Sequence, residues 1–355
     1  MKMKKTIRIA LSVLLCAAMV LTTGGALGFA QCLLMPKYMS FEQREGALIG
    51  EYYDAGTTHD VIFVGDCEVY ESFTPPTLWQ EYGISSYIRG SAQQLIWHSY
   101  YLLEDTFRYE KPKVVVFNVL SMKYGEPQSE GYNRHALDGM EWSQSKVGAI
   151  LASMTQEESF LSYVFPLLRW HSRWDELTVE DWQYLFSRDT VSHNGYLMQT
   201  AVVPRPENDR EGARLSDYTI DGVCWEYLEK MRLLCEANGA ELILIKAPTN
   251  NWRYWWYDEW DEQVRAYAAD KDLAYYNFID DEAIELDWSQ DTYDGGVHLN
   301  VYGAEKLTAY FGRILTERHG LEDARGDATQ DAVWQEKLVA YEQEKRNSRG
   351  DGENS

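Results

Sequence analysis

The stretch Asp60-Val-Ile-Phe-Val-Gly-Asp-Cys-Glu68 decides how the rest of the chain is read. Val61 to Val64 are four consecutive apolar residues, without the polar alternation of a strand that has one face in water. Such a run, closed by Gly65, reads as a strand buried on both faces and followed by a turn. Lys113-Val-Val-Val-Phe-Asn-Val119 reads the same way, as do the runs at 241–246 and 273–279, with a shorter fifth at 84–88. Helical periodicity fills the intervals at 93–109, at 222–238 with Gly239 as C-terminal cap, and at 304–319 with Gly320 as cap. Strands alternating with helices predict an α/β fold whose parallel sheet is covered on both faces.

The 355 residues include 33 basic and 56 acidic side chains, a net charge of −23 that excludes a nucleic-acid partner. That charge is unevenly spread. The first forty residues hold five basic residues and no acid, leaving −28 on the remainder. Lys2, Lys4, Lys5 and Arg8 precede an apolar stretch from about Ile9 to Leu34, the pattern of a signal peptide or an uncleaved anchor. Its length favours a transmembrane anchor, single-pass in the cell membrane, with everything after it extracytoplasmic.

The expected domains are thus 1–40 as basic tip and anchor, 41–322 as the α/β domain, and 323–355 as a charged, mostly disordered tail with one candidate helix at 331–345. Residues 120–220, rich in Trp, Tyr, His and Arg, read as a helical, aromatic-rich insertion with helices at 143–154 and 179–186. The five cysteines form no disulfide framework, and no CxxC pair or HxH spacing suggests a metal. No cofactor is expected.

Cys67 stands at the carboxyl end of the first strand, where open α/β sheets place their sites. A nucleophile there, opening a helix, gains backbone N–H groups for an oxyanion and a helix N-terminus that favours thiolate. The other reading of Cys67 is a small buried hydrophobe. The second feature is Asp291-Thr-Tyr-Asp-Gly-Gly-Val-His-Leu-Asn300, a glycine-bearing loop before the last helix. An Asp close before a His can fix the imidazole tautomer and leave the other nitrogen as base; the alternative is an Asx-rich turn that caps the helix.

Lys246 ends a strand and is expected on the same rim, facing an anionic substrate or pairing with an acid. Arg169 and Arg173, four apart, share a helix face that suits a carboxylate or phosphate, or a surface ion pair. The aromatic run 250–260, with Trp255 and Trp256, suits glycan stacking, docking on a membrane partner, or packing against the insertion.

Gly65-Asp66-Cys67 resembles the Gly-Asp-Ser block of the SGNH (GDSL-type) hydrolases, and Asp294 to His298 resembles their Asp-x-x-His block. The likeness is closest to the membrane-anchored envelope branch, which includes the D-alanine-transfer proteins of the teichoic-acid pathway and the alginate O-acetylation proteins. Leu78-Trp-Gln-Glu-Tyr-Gly-Ile-Ser-Ser-Tyr87, Ser91-Ala-Gln-Gln94 and His298-Leu-Asn-Val-Tyr-Gly-Ala-Glu305 support it, and it runs from about Asp60 to Gly320. The resemblance implies a three-layer α/β/α flavodoxin-like fold. It also implies esterase or O-acyltransferase chemistry on an envelope polysaccharide or acyl donor, with a membrane-bound acyltransferase as a candidate partner.

Carried over residue by residue, Cys67 is nucleophile, His298 base and Asp294 the orienting acid. The Cys67 backbone, Gly90 and Asn118 take the oxyanion positions. Two departures stand out. The nucleophile is Cys where the family has Ser, and three residues separate Asp294 from His298 where the family has two, which makes Asp291 a standby acid. The reading from a different class is a non-catalytic scaffold or glycan-binding protein on the same fold.

Overall fold

The computed structural model describes residues 2–35, 48–187, 190–205, 214–250, 256–279 and 281–352. They fall into two compact units, Met1–Ser40 with Glu158–Asp189, and Phe41–Glu157 with Thr190–Ser355.

The larger unit is built on a five-stranded, all-parallel sheet: β1 (Val61–Gly65), β2 (Ser86–Gly90), β3 (Val114–Asn118), β4 (Glu241–Lys246) and β5 (Ala274–Asn277), in the order β2-β1-β3-β4-β5. All five lie within the expected runs or overlap them. The order reverses between β1 and β3, the switch point at which doubly wound sheets leave a crevice at the strands' carboxyl ends. The register brings Gly65 beside Gly90, and Asn118 beside Ile245, along that edge.

Period-two alternation divides each strand between two cores. Val61, Phe63, Val114, Val116, Ile243 and Ile245 face one; Ile62, Val64, Val115, Phe117, Leu242 and Leu244 face the other. Seven of the helices carry labels, in chain order: α1 (Lys2–Leu34), α2 (Pro75–Tyr82), α3 (Ile96–Thr106), α4 (Gly222–Asn238), α5 (Asp258–Lys271), α6 (Val301–His319) and α7 (Ala328–Gly352). Helices α2 and α6 cover the first core, where Phe63 stacks on Phe73 at 4.9 Å and Phe311 meets both edge-on at 5.6 to 6.2 Å. Helices α3, α4 and α5 cover the other face. Cys224 and Cys235 are free thiols buried on α4, filling that core as small apolar groups.

The caps are as the sequence predicts at the C-terminal ends. Gly239 and Gly320 close α4 and α6 at φ of +74° and +66°, left-handed values that favour glycine. Helix α6 begins three residues earlier than its periodicity suggests, because the Asn300 side chain accepts from the Tyr302 and Gly303 N–H groups.

Two differences concern organisation. The stretch expected as a single insertion at 120–220 is divided, since 158–189 group with α1 while 120–157 and 190–220 belong to the sheet unit. The tail expected to be mostly disordered, with one candidate helix at 331–345, is helical over the longer span of α7. Trp334 and Tyr341, seven apart and so on one helix face, are both buried. Trp334 stacks on Trp79 at 5.1 Å and 11°, and the Tyr341 hydroxyl donates to Glu305.

In the smaller unit, α1 is apolar from Ile7 to Leu34, with a mean hydropathy of 2.0, long enough to cross a membrane. The helices Gln144–Ser153 and Val179–Tyr184 match the two expected at 143–154 and 179–186.

Candidate active site

Strand β1 delivers Cys67 by a turn that leaves little room. A Cβ on Gly65 would stand 2.5 Å from Val69 Cγ2 and 3.0 Å from Asn118 Cβ, so only glycine lets the chain pass. Asp66 caps the single helical turn Cys67–Tyr70 by accepting from the Glu68 N–H. The Cys67 N–H lies in that first turn, where no i−4 carbonyl serves it. Gly90 ends β2 directly beside Gly65, so its backbone borders the same turn.

The other half of the site comes from the loop between β5 and α6. Thr292 and Leu299 pair in an isolated antiparallel bridge, and Gly295 and Gly296 turn the chain at φ of +83° and +92°. The loop thus folds back on Asp294, whose Oδ1 accepts from the Val297 and His298 N–H groups at 3.2 and 2.9 Å. Asp294 Oδ2 is 2.6 Å from His298 Nδ1, and His298 Nε2 is 3.1 Å from Cys67 Sγ. Three residues expected to act together therefore meet in one hydrogen-bonded line.

Two further residues complete it, neither anticipated from sequence. Glu71 is buried, with Oε2 at 3.5 Å from His298 Nδ1. The Tyr293 hydroxyl donates to Glu71 Oε2 at 2.9 Å, and the Tyr293 ring lies nearly parallel to the imidazole. The available signal was the spacing of Cys67 and Glu71, four apart on a helical turn and so on one side of it.

These surroundings set the proton balance. Burial works against the His298 imidazolium, but Glu71, Cys67 and Asp294 outweigh it and raise His298 well above its usual value. Asp294, although partly buried, is held below the usual carboxylate range by His298 and by the loop N–H groups. Burial pushes the Cys67 thiol up, and His298 only partly offsets it against Asp66 and Glu71. The thiolate expected from a helix N-terminus is therefore not favoured: one helical turn has little dipole, and carboxylates crowd the sulfur.

Beneath the turn lies a buried polar network. Lys246 Nζ donates to both Glu68 oxygens, at 2.7 and 2.8 Å, and to the Ala247 carbonyl. Asn118 Nδ2 donates to Asp66 Oδ1 and Glu68 Oε2, both at 3.0 Å. Asp66 Oδ2 has no partner among the described residues, and burial, then Glu68, push this carboxyl up to about 6.

Several expectations are corrected here. Asn118 spends both amide hydrogens on carboxylates and braces the turn, so it is no oxyanion donor. Of the two readings of Lys246, pairing with an acid holds: it is fully buried against Glu68, beside Cys67, and does not face a substrate. Asp291 is not a standby acid, since its Oδ2 binds Lys306 at 2.6 Å and the Asp287 N–H. Trp256 is buried against Trp260 and offers no stacking face, while Trp255 lies outside the described residues. Arg169 and Arg173 belong to the smaller unit. There Arg173 donates to Leu34 O and pairs with Asp181, and Arg169 lies over the Trp170 ring.

No group of three or more His, Cys, Asp or Glu with metal-holding geometry occurs among the described residues. Comparison with protein-family models, with curated proteins and with solved structures finds no match.

Proposed function

We propose that the chain is an SGNH-type acyl-ester enzyme that works through a Cys67–His298–Asp294 triad on an envelope polysaccharide or its acyl donor, held at the membrane by α1. The observation that carries this reading is the 3.1 Å contact between Cys67 Sγ and His298 Nε2, joining residues 231 apart in sequence, with Asp294 on the far nitrogen. Support comes from the strand order 2-1-3-4-5, the flavodoxin-like order, and from a site at the carboxyl edge of the sheet.

In this reading the thiol attacks the ester carbonyl while His298 Nε2 takes its proton. The Cys67 and Gly90 N–H groups face the developing oxyanion. Collapse expels the alkoxide, which His298 protonates, and leaves a thioester on Cys67. Water or a polymer hydroxyl then takes the acyl group, with His298 again as base. Asp294 keeps the proton on Nδ1, so that Nε2 faces sulfur.

The test is release of acetate from a model ester. Wild type should turn over, Cys67→Ala should not, and Cys67→Ser should keep part of the rate; equal rates in wild type and Cys67→Ala would refute a catalytic role. One observation favours a second reading, a non-catalytic scaffold or glycan-binding protein: burial holds Cys67 as the less reactive thiol. That reading requires that no ester tested is turned over faster than by Cys67→Ala.

A further inference from the structure

One surface of the smaller unit has no use in that reading. Among the described residues, seven of the fifteen large apolar side chains exposed outside α1 fall between positions 160 and 186. Phe165, Leu168, Trp174, Trp182 and Phe186 are among them, with Trp174 at 71 % and Phe186 at 86 % exposure. Water-soluble surfaces rarely gather so much apolar area without a partner.

These residues sit in and beside the short helical pieces Phe160–Val164, Leu167–Trp170, His171–Asp175 and Val179–Tyr184. Pieces of this length are unstable alone. They are held on the carboxyl end of α1. The Trp182 ring meets the Phe29 ring at 6.2 Å, Arg173 Nη1 donates to the Leu34 carbonyl at 2.7 Å, and Leu33 is buried. The Arg173 bond also satisfies one of the carbonyls a helix end leaves open.

The rest of α1 is bare. Every residue from Ile7 to Phe29 is exposed, and cover begins only at Ala30. At 1.5 Å per residue the bare stretch is about 34 Å long, against a hydrocarbon thickness of about 30 Å. The helix is therefore uncovered over one bilayer core and clothed where that core ends. That is the depth at which Trp and other amphipathic rings concentrate.

We propose that residues 158–187 form an interfacial collar that seats Trp174, Trp182, Phe165 and Phe186 in the headgroup layer of the bilayer spanned by α1. The occupant of this surface is lipid, because the collar's apolar side chains continue the apolar surface of α1 at Phe29. Three of the collar's ionic groups offset one another, which suits that layer: Arg173 pairs with Asp181, and Glu176 is within 3.8 Å of Arg173. The inference rests on α1 being a membrane anchor.

The test uses the full chain in phosphatidylcholine vesicles, with and without bromine on the acyl chains. Helix α1 contains no Trp, so flotation with the vesicles reports the anchor and bromine quenching of Trp emission reports the collar. The expected result is flotation together with quenching that falls at least twofold in a Trp174→Phe/Trp182→Phe variant. A Phe165→Asp/Phe186→Asp variant should float equally well but show weakened quenching. Flotation with quenching unchanged in both variants, or with Trp174 and Trp182 quenched instead by aqueous acrylamide, overturns the collar and leaves the anchor standing. Failure to float overturns both.

Discussion

Glu71→Gln isolates one carboxylate from the acid–base machinery without removing its shape. Glu71 Oε2 lies 3.5 Å from His298 Nδ1, and its side chain is 1 % exposed. At an effective dielectric of about 20, opposite unit charges at that distance attract by about 5 kcal/mol. That is a ceiling, because Asp294 remains beside the same nitrogen and the Tyr293 hydroxyl still has an oxygen to bind. Opposite charges in such contact commonly shift a titration by about 1–3 units. Glu71 raises both His298 and Cys67, so neutralising it lowers both.

The pair should then release its first proton about 1–2 pH units lower than in wild type. The assay is the rate of iodoacetamide alkylation of Cys67, read on its peptide by mass spectrometry between about pH 6 and 10. Ester turnover should show the same displacement of its rising limb. Asp294→Asn shifts the limb in the same direction but also frees the ring, so its limiting turnover should drop by about 100-fold or more. A Glu71→Gln profile that stays in place or moves to higher pH would refute this account of the proton balance.

Two other expectations concern stability. Asp66 is raised from 3.8 to about 6 in the folded chain, so the folded state binds the extra proton and stability falls as pH rises from about 4 through 6. The loss is about 3 kcal/mol, and Asp66→Asn should flatten that slope in urea titrations at the two ends of the range; an unchanged slope would assign it elsewhere. Trp334→Ala removes a fully buried ring stacked on Trp79 and should cost about 3–5 kcal/mol in the same titrations, whereas a loss under about 1 kcal/mol would make α7 a bystander.

The sheet was legible because buried parallel strands carry their signal in uninterrupted runs, and Val61 to Val64, Val114 to Phe117 and Leu242 to Ile245 are such runs. Cys67, Asp294 and His298 were legible because each stands beside glycines at a strand end or before a helix. What escaped depends on contacts between distant segments. Nothing local says that Lys246 turns down onto Glu68, or that Asn118 spends its amide on Asp66 and Glu68.

The choice of Asp294 over Asp291 depends on the two positive-φ glycines that fold the loop back, and on Lys306, fifteen residues away, which claims Asp291. The helix at 331–345 was legible, but the docking of α7 was not: a charge-mixed stretch reads as solvated, and two aromatics seven apart are a thin signal until Trp79 and Glu305 are known to face them.

The crowding of carboxylates around Cys67 bears on redox durability. Peroxide and disulfides react with thiolate far faster than with thiol. A sulfur held protonated by burial, Asp66 and Glu71 is shielded while idle. It becomes oxidisable chiefly when His298 is ready to accept its proton, which on the proposed reading is also when it attacks an ester. On the proposed reading, with the site on the oxidising side of a membrane, this protection goes with a cysteine where the SGNH family it resembles carries serine, trading reactivity at neutral pH for survival between turnovers.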